Sequence, residues 1–239
     1  VYTHVSDIND FTLVLKAVLK PVRTNTLDVP HLLNLIRLKL FDTAYHEHYS
    51  YLSLYTVSKI FEMAGLRIFD VEKLSTHGGS LRVYGCHSEN ARQTTEAVTA
   101  ILNEEKEYGL QDLSVYSNFQ SEADKIETEL IHFLTSQKKN GKKVSDYGAA
   151  AKGNTLLKYG KIDNKLIDFV CDAAPSKQGK YLPGSHIPVY HPNQLTISKP
   201  DYVLILPWNL KEEISNQIKY VREWGGKLVI PAPELTVLD

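Results

Sequence analysis

Cysteine is nearly absent from this chain. Cys86 and Cys171 are the two present in 239 residues, far apart and without a CxxC pair, which argues against a disulfide framework and against a cysteine zinc site within the chain. Reduced thiols in a cytoplasm are the simplest account. An excess of charge of either sign is missing as well: 27 basic residues stand against 28 acidic ones, for a net charge of -1. No broad electrostatic surface for nucleic acid or for an anionic membrane follows from such a balance, while a small, locally charged ligand stays open. No apolar run approaches the ~20 residues of a membrane span, and no signal-peptide pattern opens the chain. The first residue is Val1 rather than Met, so a processed or trimmed start is expected. Composition says nothing of the oligomeric state. What is present is enough apolar material for a real core, 43% of the residues in 27.0 kDa, which suits one large domain or two small ones.

The densest chemistry lies in Tyr45-His46-Glu47-His48, set within an aromatic-rich string from Phe41 to Tyr51. A phenol, a carboxylate and two imidazoles are crowded there. A carboxylate beside an imidazole sets its tautomer and raises its basicity, and a phenol can donate to a developing oxyanion. On a strand Tyr45 and Glu47 would face one side and His46 and His48 the other, so the group works best on a loop or bend. An ordinary polar loop at the edge of an apolar core fits the same residues.

Periodicity predicts a helix over 7–20, with Ile8, Phe11, Leu15, Val18 and Leu19 at helical spacing and Pro21 beyond its end. A short strand is expected over 24–29, a helix over 54–63 closed by Gly65, and a hairpin of strands 66–74 and 81–86 around Thr76-His77-Gly78-Gly79-Ser80. Residues 89–137 are more polar; Ile126, Leu130, Ile131 and Leu134 form a helical stripe, and 110–119 reads as a loop or short strand between two helices. The boundary is set at 100/101, giving domains 1–100 and 101–239. The second half alternates strand and helix: strands over 143–147, 166–171, 202–207 and 227–231, helices over 154–159 and 211–224, and a small-residue loop over 148–153. Such alternation predicts a parallel sheet, whose ligands bind beyond the C-terminal strand ends. The loop Gly148-Ala149-Ala150-Ala151-Lys152-Gly153 either packs a strand tightly on a helix or cradles an anion at a helix N-terminus, and Lys152 favours the anion.

Three stretches carry a resemblance: Tyr45-His46-Glu47-His48 with Tyr51, Leu52 and Ser53; Thr76 to Arg82; and Tyr147 to Leu157. Asp172 with Lys180 to Gly184, and Val203 to Asn209, support it. The chain resembles the later part of the sugar C-methyltransferases, which use S-adenosylmethionine to methylate a nucleotide-linked ketosugar, commonly a dTDP-sugar. The resemblance implies an α/β fold: the C-terminal part of a Rossmann-like methyltransferase domain followed by a second Rossmann-like domain. It also implies that the glycine-rich loop and acidic ribose ligand for S-adenosylmethionine, and the zinc module of full-length members, lie outside this chain, which is then expected to be a fragment with no metal site of its own. Pro21 to Thr26 departs from the family, whose members carry a Gly-containing turn and a more apolar strand there.

Methylating a carbon next to a ketone requires a base for the α proton and a donor for the enolate oxygen. The resemblance assigns His48 as general base, Glu47 as its partner, Tyr45 as the hydrogen-bond donor, and His4 as a further active-site histidine; His46 is read as structural. His77, Gly78, Gly79, Ser80 and Arg82 are assigned to the sugar diphosphate, as a turn with free N–H groups, a hydroxyl and a guanidinium. Lys152, Asn154 and Lys177 are assigned to the nucleotide. Two other readings stay open, a non-catalytic nucleotide-sugar-binding protein and a metal site built on His46 to His48.

Overall fold

The computed structural model describes residues 1–238, without the side chain of His77. The chain divides into two units, one of residues 1–40 and 46–119, the other of residues 41–45 and 120–239.

The first unit opens with a 3-10 turn, Tyr2–His4, followed by α1 (Ile8–Val18), β1 (Asn25–Pro30), α2 (Leu32–Arg37), α3 (Leu54–Met63), β2 (Leu66–Leu74), β3 (Ser80–His87) and α4 (Glu96–Tyr108). Asp7 caps α1 by accepting from the amides of Asn9 and Asp10. The expected helix over 7–20 ends at Val18, because Leu19 turns extended ahead of Pro21. The hairpin is present: β3 pairs antiparallel with β2 on one side and with β1 on the other. Helix and sheet meet over Leu54, Val57, Phe61, Leu66, Val71, Leu81 and Val83, all buried. α2 was not anticipated, since six residues are too few for helical periodicity to show.

The second unit contains α5 (Phe119–Lys139), β4 (Val144–Tyr147), α6 (Ala151–Tyr159), β5 (Val170–Cys171), β6 (Val189–Tyr190), α7 (Gln194–Ser198), β7 (Tyr202–Ile205), α8 (Lys211–Gln217), β8 (Lys227–Ile230) and β9 (Thr236–Leu238). Its sheet runs β6-β5-β4-β7-β8-β9, parallel except for β9. In order of appearance the strands stand third, second, first, fourth, fifth, sixth. This is the doubly wound Rossmann order, with its direction reversing between β4 and β7. The parallel α/β architecture expected for this half is thus present. Several details differ. The strand expected over 166–171 keeps ladder pairing at Val170 and Cys171. The helix over 211–224 breaks into α8 and a 3-10 turn, Lys219–Trp224. β6 and β9 were not foreseen, being two and three residues long. The loop over 148–153 is shorter than expected, because alanine is the best helix former and α6 begins at Ala151.

Two glycines explain how that strand and helix join. Gly148 turns the chain with φ of 92°, and a Cβ there would lie 2.4 Å from the Pro207 ring. At Gly153 a Cβ would come within 2.5 Å of Leu206 Cβ, so the first turn of α6 rests directly on the end of β7. Tight strand–helix packing, one of the two readings of this segment, is therefore real.

One buried group makes a stability test. Asp146, in β4, is fully buried, and neither carboxylate oxygen has a hydrogen-bond partner among the described residues. Burial raises its pKa well above the ordinary 3.8. Between the unfolded and folded values the native state holds a proton that the unfolded chain has released, so this group makes stability fall as pH rises from about 4. Asp146→Asn, neutral throughout, is expected to gain stability relative to the parent between about pH 4 and pH 7 in urea unfolding. A difference independent of pH would contradict it.

Candidate active site

Tyr2 and Thr3 together bring the candidate residues of the first unit into one place. The Tyr2 ring is buried against Phe61, at 6.4 Å between centroids, and its hydroxyl meets Thr12 Oγ1 at 2.7 Å. That anchors the 3-10 turn carrying His4. The Thr3 carbonyl then accepts from the amides of Tyr49 at 2.9 Å and Ser50 at 3.3 Å, lacing the segment after the tetrad to the start of the chain. His48 is drawn against His4 as a result: the imidazoles lie 4.9 Å apart, edge to face at 88°. Tyr51 completes the group, its ring 6.0 Å from His48. His4 is exposed and His48 half-buried, so solvent reaches the pair from one side.

The tetrad lies on a bend, as its alternation required. His46 and Glu47 form an exposed turn. Tyr45 belongs with the second unit and donates its amide to the Thr43 carbonyl at 3.0 Å.

The start of α3 is fixed by a buried pair that the sequence did not reveal. Glu105 on α4 and His31 are each 1% exposed, and His31 Nε2 meets Glu105 Oε1 at 2.8 Å. The same carboxylate accepts from the amides of Leu54 at 2.6 Å and Tyr55 at 3.0 Å, and Ser53 Oγ accepts from Thr56. The orphan donors of the first turn of α3 are thereby satisfied, and the chain entering it from Tyr51 has one path. Glu105 sits in a charged, helical run (Glu104-Glu105-Lys106-Glu107), and only its place in line with Val98 and Ile101 could have marked it as inward-facing.

The turn at 76–80 corrects one expectation. Two of its donors are not free: the Gly79 amide donates to the Thr76 carbonyl at 2.9 Å, Ser80 Oγ donates to the same oxygen at 3.0 Å, and Ser80 is buried. Gly78 and Gly79 supply positive φ instead. Arg82 points its fork at Asp28, with Nε and Nη2 at 2.9 and 3.1 Å from the two carboxylate oxygens, which holds the Asp28 pKa below its ordinary value. Both residues line an open depression of about 570 Å³ with Val1, Tyr2 and Tyr84. The expectation for His77 lies outside the described side chains.

In the second unit Lys177 Nζ donates to the Ala149 carbonyl at 2.9 Å and to Asp172 Oδ2 at 3.0 Å. Asp172 also accepts from the amides of Ala149 and Ala174. Asn154 Oδ1 is buried without a hydrogen-bond partner among the described residues. Lys152, read as a loop cation, is 7% exposed in the first turn of α6, with its ammonium 4.7 Å from the centre of the Trp208 ring.

These contacts bear on the methyl donor. The spacing Gly148-x-Ala150-x-x-Gly153 followed by Asp172 imitates a dinucleotide cradle, and Asp172 already accepts from Ala149 and Lys177 at Oδ2 and from Ala174 at Oδ1. No group of three His, Cys, Asp or Glu that could hold a metal occurs among the described residues, and no helix there is long and apolar enough to cross a membrane. Cys86 and Cys171 are buried and free.

The second unit is thus a Rossmann-ordered domain, and the first unit brings His4 and His48 together. Residues 75–233 match the family described as the C-methyltransferase C-terminal domain, and the chain belongs to that family. The C-methyltransferase NovU of Streptomyces niveus is 35% identical over 238 residues, covering 100% of this chain and 57% of the relative. The chain therefore spans little more than half the length of that protein.

Removing Glu105 should expose its role. Glu105→Ala leaves two buried amides and an imidazole unsatisfied and is expected to cost about 3 kcal/mol, read from the urea midpoint, with Glu105→Gln costing less. A loss below about 1 kcal/mol for the alanine variant would show that water takes over these bonds.

Proposed function

We propose that this chain carries the proton-handling and sugar-binding part of an S-adenosylmethionine-dependent C-methyltransferase acting on a nucleotide-linked ketosugar of the dTDP type. The observation that carries the reading is the meeting of His4 and His48, 44 positions apart in sequence, at a solvent-reachable edge beside Tyr51. Membership of the C-methyltransferase family supports the reaction type.

In this chemistry S-adenosylmethionine supplies the electrophilic methyl group. The chain's own residues handle the proton. His48 in its neutral form accepts the proton α to the ketone, and the C–H electron pair moves into the enolate. Glu47, its neighbour in the chain, favours the imidazolium that results. Tyr45 donates a hydrogen bond to the enolate oxygen, which gains charge as the proton leaves. His4, in edge contact with His48, offers a second nitrogen through which the proton passes to solvent. Arg82 and Gly78 remain candidates for the sugar diphosphate, with Asp28 as the carboxylate such an anion must displace from the guanidinium.

The test uses an active enzyme in which this chain is joined to the family's methyl-donor-binding region. His48→Ala is expected to lower kcat by ~10²–10⁴-fold with little change in sugar-nucleotide affinity, the usual range for loss of a general base. Tyr45→Phe should be milder, since one hydrogen bond is lost and the ring stays. With the methyl donor withheld, the parent should exchange the α-hydrogen of the ketosugar for solvent deuterium, measured by mass spectrometry, and His48→Ala should not. Turnover at the parental rate in His48→Ala would transfer the role to His4. Tight sugar-nucleotide binding with neither exchange nor methylation would favour the non-catalytic binding protein.

A further inference from the structure

The end of the second unit's sheet holds a buried charge cluster that the proposed chemistry does not use. Lys152 occupies the first turn of α6, where the helix dipole disfavours a cation, and it is almost fully buried. Asp42 is 2% exposed; its Oδ2 accepts from the Trp208 indole N–H at 2.5 Å, and its own backbone amide and that of Thr43 add further bonds. The Lys152 ammonium sits over the same indole ring. Burial pushes the Asp42 carboxyl up and the Lys152 ammonium down, and each restrains the shift of the other.

Their place in the fold gives the cluster its meaning. Lys152 follows the turn after β4, and Trp208 follows β7 through Leu206 and Pro207, so the two residues come from the strands where the sheet order reverses. Gly153 fixes their separation by seating α6 on Leu206. In sheets of this order an external ligand occupies that crevice. Here the chain's own 3-10 turn, Phe41–Thr43, lies on α6. Lys152, Leu156 and Tyr159, at i, i+4 and i+7, share one helix face; Lys152 meets Asp42 electrostatically, and the Tyr159 ring lies 5.1 Å from Phe41. The turn then hands its order forward: Ala44 donates to Phe41 and Tyr45 to Thr43.

We infer that Lys152 and Trp208 form a receptor for an internal carboxylate, Asp42, and are positioning residues for Tyr45 rather than contacts for the nucleotide. A buried pair of this kind adds little net stability but admits one arrangement, since any displacement leaves a charge unpaired. The inference rests on the proposed catalytic role of Tyr45.

The test is a double-mutant cycle on the joined enzyme with Asp42→Asn, Lys152→Met and both changes together. Each single change is expected to lower kcat by about 10–100-fold with KM for the sugar nucleotide within about twofold, as a misplaced catalytic group does. The double variant should be no worse than the worse single one, and Lys152→Arg should recover most of the loss. Trp208→Phe, which keeps the ring and removes the N–H donor, should fold and show a smaller loss of the same kind. In the parent, the Trp208 indole proton resonance should move upfield on Asp42→Asn. Independent effects that multiply in the double variant would overturn the inference. So would a rise of about tenfold or more in the Kd for dTDP on Lys152→Met with kcat retained, which would make Lys152 a nucleotide contact. Parental turnover in Tyr45→Phe would instead defeat the catalytic reading of Tyr45, while the indole shift would still report whether Asp42 occupies its receptor.

Discussion

A carboxylate removed from water must collect donors or give up its charge, and that constraint organises both units of this protein. In the first, Glu105 gathers the amides of Leu54 and Tyr55 and the His31 ring. In the second, Asp42 gathers the Trp208 indole and backbone amides, with Lys152 as its countercharge. Glu105 fixes the start of α3, a few residues after His48, and Asp42 lies in the turn that leads to Tyr45. The contrast with Asp146 is instructive, because that carboxylate has no hydrogen-bond partner among the described residues and burial pushes its pKa up.

The same economy shapes the glycine-rich segment after β4. A loop of this spacing at the end of a parallel strand ordinarily leaves amides open to a phosphate. In this chain Asp172 fills that role from within, taking the Ala149 and Ala174 amides and a bond from Lys177. Gly148 and Gly153 keep their mechanical functions, a left-handed turn and a close approach to Leu206. The doubly wound frame is retained, with the turn Phe41–Thr43 packed on α6.

Among the candidate site residues, the sequence was most readable where chemistry was concentrated in a short span. The tetrad had to lie on a bend for its side chains to converge, and it does. The helix over 54–63 and the strand over 66–74 were legible to the residue, since Ser53 and Gly65 punctuate them and long apolar periods fill them. The carboxylates beside Arg82 and Lys152 escaped the sequence in a common way. An isolated cation in a sequence looks like a hand held out to an anion, whereas Asp28, which accepts from Arg82, and Asp42, whose charge acts on Lys152, lie 54 and 110 positions away.

Local spacing and residue chemistry by themselves determined the α/β class, the alternation that yields a parallel sheet, the hairpin, and the acid–base character of residues 45–48. These depend on periodicity and on neighbours within a few positions, which a linear chain displays directly. Tertiary structure alone decided that His4 meets His48, that Glu105 caps α3, that the Gly79 amide and Ser80 hydroxyl are engaged within their own turn, and that the Asp42 charge acts on Lys152. The physical reason is that a donor or charge is satisfied by whatever group packing brings within about 3 Å, and packing joins residues that sequence separates.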